Sequence, residues 1–570
     1  MGVVVATTLS VLNARSASQT AVTAGTGVVS GRVIDATTRQ PVVAANVGIG
    51  SVPEGPTTFP IQDCCGVNFV LNMGGDFGRT TTTDAEGRFT FANLPARTFE
   101  LSAYGGRSLG GWAWWGQTSP DDGAKWIQLS DGQRIDGLQI ALPRMAVVGG
   151  RVLDERGEPV GGIGILVTPA DWAGAVPRYS GQAATTDDRG RFSAATYPGE
   201  HFVSTAAYPA VASTLASRPG SAFPRVFFPQ ANSVGSAARI TLAPGDERSD
   251  IDFVVSPQRV FRISGPSEGA ANLALELFAA DERRPGAAPL ARGNAVQGRF
   301  SFASVPPGRY VLHALAGPEM PYMSHGTAAL RELPASSTMW TESAVTVVDR
   351  DVDVRLNLKP GVRISGRVEF DGVLPRPSLA DLVNRTLIVE RADGSDSDYR
   401  GAYVTGDRFS SIQIEPGRYI VRPNPPEKWR LKSVMAGGRD ISDYPVDLAQ
   451  TDVNDAVITF TDRRSAIAGR LIRQGPDDLM RGWITVFPTD RAYWPEYGIY
   501  PRRIAFIECG RSGVFEAEVP PGSYYVAATR WVTRGRLSVA QLSSLAASAT
   551  AIVVGDNQTV QVDVRFPRAK

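Results

Sequence analysis

Five times along this chain the same order of residues returns: a strand carrying a glycine, a turn, an aromatic residue, a second turn containing proline, and another aromatic residue. In the first copy it runs Ser30-Gly31-Arg32-Val33, then Asp84-Ala85-Glu86-Gly87-Arg88-Phe89, then Leu94-Pro95 and Phe99. The second reads Gly149-Gly150-Arg151-Val152, Asp187-Asp188-Arg189-Gly190-Arg191-Phe192, then Tyr197-Pro198-Gly199 and Phe202. The strand glycine falls at Gly31, Gly150, Gly265, Gly366 and Gly469. A period of this size constrains the architecture before any single residue is interpreted, because each copy is long enough to bury a core of its own.

The residues between these landmarks read as strands. Stretches such as Val352-Asp353-Val354-Arg355-Leu356-Asn357-Leu358 and Val560-Gln561-Val562-Asp563-Val564-Arg565-Phe566 alternate apolar and polar. One set of side chains then faces a core and the other faces water. Helical periodicity is scarce, with short candidates near Leu379 to Val383 and Ser538 to Ala547. The 59 glycines and 40 prolines suit an all-β protein rich in turns. In the middle turn, Asp84 or Asp187 accepts backbone N–H groups and the next glycine takes positive φ. Core aromatics then pair across a hairpin: Phe89 with Phe99, Phe192 with Phe202, Phe300 with Tyr310, Phe409 with Tyr419, and Phe515 with Tyr524 or Tyr525.

The expected fold is an all-β tandem array of five Ig-like or transthyretin-like antiparallel β-sandwiches, at 28–145, 146–260, 261–361, 362–465 and 466–570, the third and fourth divergent. Residues 1–27 read as an export signal or disordered leader, through the apolar run Val3 to Leu12 and the small residues that follow. Linkers such as Pro143-Arg144-Met145 and Ser256-Pro257-Gln258 are short and contain proline, so a semi-rigid string is expected.

Through Ser30-Gly31-Arg32-Val33-Ile34-Asp35, Thr83-Asp84-Ala85-Glu86-Gly87-Arg88-Phe89 and the matching run from Gly150 to Gly199, the chain resembles repeats of the carboxypeptidase regulatory-like domain. Trp429-Arg430-Leu431-Lys432-Ser433-Val434 and Gly438-Arg439-Asp440-Ile441 resemble a stretch of exported multi-repeat proteins of acidobacteria. The resemblance implies a secreted or cell-envelope protein on a seven-stranded prealbumin-like sandwich, a layout shared with carbohydrate-binding modules. Related adhesin sandwiches cross-link through a lysine on the first strand. Lysine stands here only at Lys125, Lys359, Lys428, Lys432 and Lys570, outside every opening strand, so no such cross-link is expected.

Candidate chemistry is sparse. A net charge of +1 provides no field for nucleic acid. His201, His313 and His325 form no zinc-binding pattern, and His201, next to the core aromatic Phe202, is expected to point outward. Gly106-Arg107-Ser108-Leu109-Gly110 matches a nucleophile-elbow pattern, but no helix or α/β sheet follows it. Asp84 with Glu86, and Asp187 with Asp188, suit turns better than calcium. Cys64 and Cys65 fit a vicinal disulfide, a bridge from one of them to Cys509, or free thiols. No residue is assigned to catalysis or metal binding, and no cofactor is expected.

The aromatic loops stand out instead. Tyr104, Trp112, Trp114, Trp115 and Trp126 in the first copy, and Tyr493, Trp494 and Tyr497 in the fifth, are candidates for binding a carbohydrate or a protein partner, or for sealing a joint. The expected function is a non-catalytic extracellular or cell-envelope scaffold or adhesion protein. The alternatives are a carbohydrate-binding protein and an accessory subunit of an envelope enzyme or transporter. Expected partners are a protein or polysaccharide at the cell surface, with self-assembly open, no nucleic acid and no membrane span.

Overall fold

The structure is a computed structural model that describes residues 25–58, 78–105, 111–117, 124–170, 184–206, 221–267, 273–281, 289–295, 298–317, 338–378, 382, 387–392, 402–411, 413–448, 451–473, 482–498, 501–529 and 537–566. The leader, Cys64, Cys65, Ser108, His325 and most of the first helical candidate lie outside the described residues.

The chain is an all-β array with five separate cores. In sandwich 1, the opening strand Gly27–Asp35 pairs with Arg88–Leu94 on one side and with the closing strand Arg134–Leu142 on the other. The facing sheet has Asn46–Ser51 between Gly78–Thr82 and Thr98–Tyr104, and Trp112–Trp114 and Trp126–Gln128 extend it. Val29, Val33 and Ile140 of one sheet meet Val47, Ile49, Phe99 and Leu101 of the other. Equivalent cores form around Val148, Ile165 and Phe253, around Ile263, Leu275 and Phe300, around Ile364, Val421 and Ile458, and around Ile467, Val486 and Phe515.

Most strand pairs are antiparallel, but the opening and closing strands of every sandwich pair in parallel. Parallel first and last strands bring the chain in at one pole and out at the other, which lets short linkers join consecutive sandwiches.

This pairing explains the repeated glycine. A Cβ at Gly31 would stand 2.2 Å from the carbonyl oxygen of Leu138, and at Gly150 2.1 Å from that of Ile251. At Gly265, Gly366 and Gly469 the separations from Val354, Ala456 and Val562 oxygens would be 1.9, 1.7 and 1.8 Å. Backbone oxygens cannot yield as a flexible side chain can, so only glycine fits. Carboxylates from the closing segments satisfy the N–H groups left over nearby: Arg151 N donates to Asp252 at 2.7 Å and Arg470 N to Asp563 at 3.0 Å.

The middle turns form as their sequence dictates. Asp84 Oδ1 accepts from the N–H groups of Glu86 and Arg88 at 3.0 and 2.7 Å, and Asp187 from Arg189 and Arg191 at 3.0 and 2.7 Å. Gly87 and Gly190 take φ of +72° and +69°. These bonds hold both aspartyl carboxyls below the usual range, the N–H of Arg88 or Arg191 being the main cause. The proline turns add a tyrosine corner: Tyr310, Tyr419 and Tyr524 donate to the carbonyls of Pro306, Glu415 and Pro520 at 2.7, 2.8 and 2.6 Å. Tyr524, rather than Tyr525, is thus the core partner of Phe515.

Sandwich 2 corrects one expectation. His201 is 2% exposed and faces inward, against Thr196 Oγ1 at 3.0 Å and the Gly199 carbonyl at 3.2 Å, while Phe202 is half-buried on the other face beneath Arg239. Gly199-Glu200-His201 occupies the place of Gly308-Arg309-Tyr310, so histidine stands where the later copies carry tyrosine. Counting ten residues between aromatics put the strand one residue out of register, and a slip of one exchanges the faces.

The second helical candidate forms as Val539–Ala546, with a capping box between Ser538 and Gln541. Leu542 on this helix joins Phe487, Trp494, Tyr497 and Phe506 in a second apolar layer on the outside of sandwich 5.

Candidate functional site: the joints between sandwiches

The aromatic loops turn out to be largely packing devices. Trp114 and Trp126 are 3% and 4% exposed, and Trp115 is half-buried against the first core. Trp494 is 1% exposed and donates Nε1–H to the Pro488 carbonyl at 2.8 Å; buried Tyr497 donates to the Leu537 carbonyl at 3.1 Å, anchoring the segment before the helix. Rings enclosed in this way present no open face to a sugar. Tyr493 stacks on Tyr444 of sandwich 4 with centroids 4.6 Å apart. The open part of the set is Tyr104, 37% exposed, beside half-buried Trp112 with centroids 6.2 Å apart.

The densest buried chemistry lies where sandwiches meet. Between sandwiches 4 and 5, Arg502 embraces Asp443 with Nε and Nη2 at 2.7 and 2.9 Å, and Arg503 Nε approaches the same carboxylate at 2.6 Å. Arg422, itself buried, donates to Glu390 at 3.2 Å and to the Ser442 and Tyr497 carbonyls at 2.9 and 3.2 Å. Burial alone would raise the Asp443 carboxyl, but the guanidiniums of Arg502, Arg503 and Arg422 outweigh it and hold it below the usual range. Arg503 also reaches Tyr524 at 3.0 Å, linking the joint to the tyrosine corner of sandwich 5. Around this centre, Arg418 pairs with Glu496 and Arg430 with Glu518.

Between sandwiches 3 and 4, His313 Nε2 lies 2.7 Å from Glu415 Oε2, and Arg391 pairs with the other oxygen of that carboxylate. At the 2–3 joint, Ser221–Ala222 of sandwich 2 pairs with Gln258–Arg259 where the chain leaves that sandwich. A cleft of about 280 Å³ opens beside it, lined by Arg225, Asn232, Asp281, Arg309 and Tyr310. Between 1 and 2, the linker residue Arg144 pairs with buried Asp35, and its stem passes Gly245.

The fifth joint is one a string would lack: sandwich 1 meets sandwich 5. Thr57–Thr58 adds as an edge strand to Ala505–Cys509, with Thr57 opposite Glu508 and Thr58 opposite Ile507. Arg511 N and Ser512 N donate to the Pro53 and Glu54 carbonyls at 3.0 and 3.1 Å. Arg511 pairs with Glu54 at 2.7 Å and donates to Thr98 Oγ1 at 3.2 Å, and Arg473 lies 4.7 Å from the ring centroid of Trp126. The string expected from the linkers is therefore closed on itself, each sandwich touching its two neighbours.

Sequence reading missed Asp443, Arg502, Arg503, Glu54 and Arg511. The doubled arginine at 502–503 does not single the joint out, because the sequence carries two other such pairs, at 283–284 and 463–464. Cys509 is a buried free thiol beside this closure, and burial pushes it up to about 12. Among the described residues no cluster of three His, Cys, Asp or Glu side chains could hold a metal ion, and no helix is long and apolar enough to cross a membrane.

No protein-family model and no curated protein matches the chain. The resemblance to carboxypeptidase regulatory-like repeats thus rests on its residues alone. Among solved structures, the chain is similar to the TIE protein of Bacillus anthracis at 12% identity, covering 76% of this chain and 74% of that one with a TM-score of 0.16. It is similar to the minor pilin of Streptococcus agalactiae at 12% identity, over 41% of this chain and 96% of that one, TM-score 0.22. The shaft pilin SpaA of Lactobacillus rhamnosus GG aligns at 12% identity over 41% and 98%, TM-score 0.21. Likeness at these scores carries no argument about function.

Proposed function

We propose that this chain is a non-catalytic scaffold or adhesion protein of the cell surface or envelope, whose sandwiches form one closed body that presents its outer loops to a protein or polysaccharide. The observation that carries this reading is where the buried charge clusters sit. Asp443, Arg422, Glu390, His313 and Glu415 all lie at joints and satisfy one another there. Groups saturated by charged partners hold sandwiches in place and have no free valence for a substrate.

The test is a binding screen of the intact chain against envelope proteins and polysaccharides, run beside assays for peptide, ester and glycoside hydrolysis with and without chelator. The expected result is retention on a macromolecular partner, insensitive to chelator, without turnover. Turnover abolished by Asp443→Asn or His313→Gln in a folded protein would overturn the reading.

A second reading, carbohydrate binding, is favoured by Tyr104 and Trp112, the aromatic pair left partly open on sandwich 1. Retention on a glycan that is lost in Tyr104→Ala and in Trp112→Ala would support it. Unchanged retention in both would remove it.

A further inference from the structure

The edge of sandwich 5 differs from its counterparts. In sandwich 1 the corresponding strand is Gly78–Thr82, reading Gly-Arg-Thr-Thr-Thr, and in sandwich 3 it is Ala291–Asn294, reading Ala-Arg-Gly-Asn. Polar, charged and glycine-bearing edges of this kind discourage pairing with another strand. In sandwich 5 it is Ala505-Phe506-Ile507-Glu508-Cys509, a mostly apolar strand with high β-propensity. Such an edge is protected by being covered, and Thr57 and Thr58 of sandwich 1 cover two of its five residues.

The fit is built for that cover. Gly510 lies so close to the 53–55 backbone that a Cβ there would stand 2.2 Å from the Gly55 oxygen and 2.6 Å from the Pro53 oxygen. The two surfaces are joined by no short linker: Glu54 and Arg511 are 457 residues apart in the chain. Any second copy therefore offers the same donor segment to the same edge. Only effective concentration favours closure within one molecule over closure between two.

We propose that the outer edge of sandwich 5 is a strand-acceptor site that takes the Pro53–Thr58 segment of a second copy of this chain, so that closed monomers exchange into assemblies through β-strand addition. The inference rests on the scaffold reading, to which it adds the partner. Donor and acceptor are different surfaces, so the contact is heterologous: two copies that exchange reciprocally form a dimer, and copies that do not close continue into a chain.

The experiment uses two full-length variants. Gly510→Val blocks the acceptor, because its new side chain would enter the space of the 53–55 backbone. Thr57→Pro with Thr58→Pro blocks the donor by removing the N–H groups of the added strand. Each alone is expected to keep the wild-type melting profile, remain monomeric by analytical ultracentrifugation, and expand by small-angle scattering as its ends part. Mixed, they are expected to double in mass to a 1:1 heterodimer, since one retains the donor and the other the acceptor. Expanded monomers that do not associate on mixing would overturn the proposal, as would variants that stay compact or associate equally well alone. Failure to exchange would leave the scaffold reading standing, whereas substrate turnover would overturn that reading without bearing on the exchange.

Discussion

The joint between sandwiches 4 and 5 and the closure between 5 and 1 use the same residue types in opposite ways. In the first, Asp443 and Arg422 are buried and each has several partners. In the second, Arg511 and Glu54 meet on the surface, with side chains 43% and 65% exposed, and backbone pairing does much of the joining. A buried network resists opening because removing one member strands the others away from water. An exposed pair is screened and contributes little. Sandwiches 4 and 5 thus form a fixed pair, and the 5–1 contact is the place where the ring can open.

The strongest way to break this contrast is Asp443→Ala, which leaves Arg422, Arg502 and Arg503 facing each other without their carboxylate. A loss of about 3–5 kcal/mol is expected in the first transition of urea unfolding. A loss below about 1 kcal/mol would mean that water replaces the carboxylate and the joint is no more buried than the closure.

Glycines sharpen it further. Gly469→Ala would push a Cβ against the Val562 oxygen inside one sandwich, for a loss of about 1–3 kcal/mol or more in denaturant titration. Gly510→Ala meets a similar obstruction in another sandwich, so scattering should report parted ends while the unfolding midpoint stays near wild type.

Acid separates the two regions next. The folded Asp443 carboxyl lies below its unfolded value of about 3.9, so its stabilisation is fully present above that value and is lost as pH falls through the folded one. The 4–5 joint is expected to hold at pH 5 and to weaken only below about pH 4, as followed by the near-ultraviolet signal of the stacked Tyr444 and Tyr493. Weakening already at pH 6 would contradict the assignment.

The smallest effect falls on the closure. Arg511→Ala should cost less than about 1 kcal/mol, and molar salt, with a Debye length of about 3 Å, should increase the radius of gyration while leaving the tyrosine signal unchanged. A salt-insensitive radius would show that strand pairing alone closes the ring.

Much of each sandwich was legible in the residues. The turn aspartates, the positive-φ glycines, the alternating strands and the helix at Val539–Ala546 are local devices, readable from neighbours in sequence. Phe202 and His201 mark where local reading failed: both suit a core, and the choice between them depended on aligning Gly199 with Gly308 rather than on counting to the next aromatic. The tryptophans failed differently. Composition identifies a large flat ring but not what covers it, and Trp126 lies against Arg473 from the far end of the chain.

The repeat by itself determined an all-β chain of several sandwiches, because glycine, aspartate, proline and aromatic residues at fixed offsets encode turns and hairpins through interactions a few residues long. The tertiary structure alone decided why the strand glycine is required, since the obstructing carbonyl belongs to a closing strand some 90 to 110 residues later. It also decided that Asp443 belongs to Arg502 and Arg503, and that Glu54 reaches Arg511. Pairings over such distances leave no periodic trace in a sequence; they exist only once the intervening sandwiches have folded and brought their surfaces together.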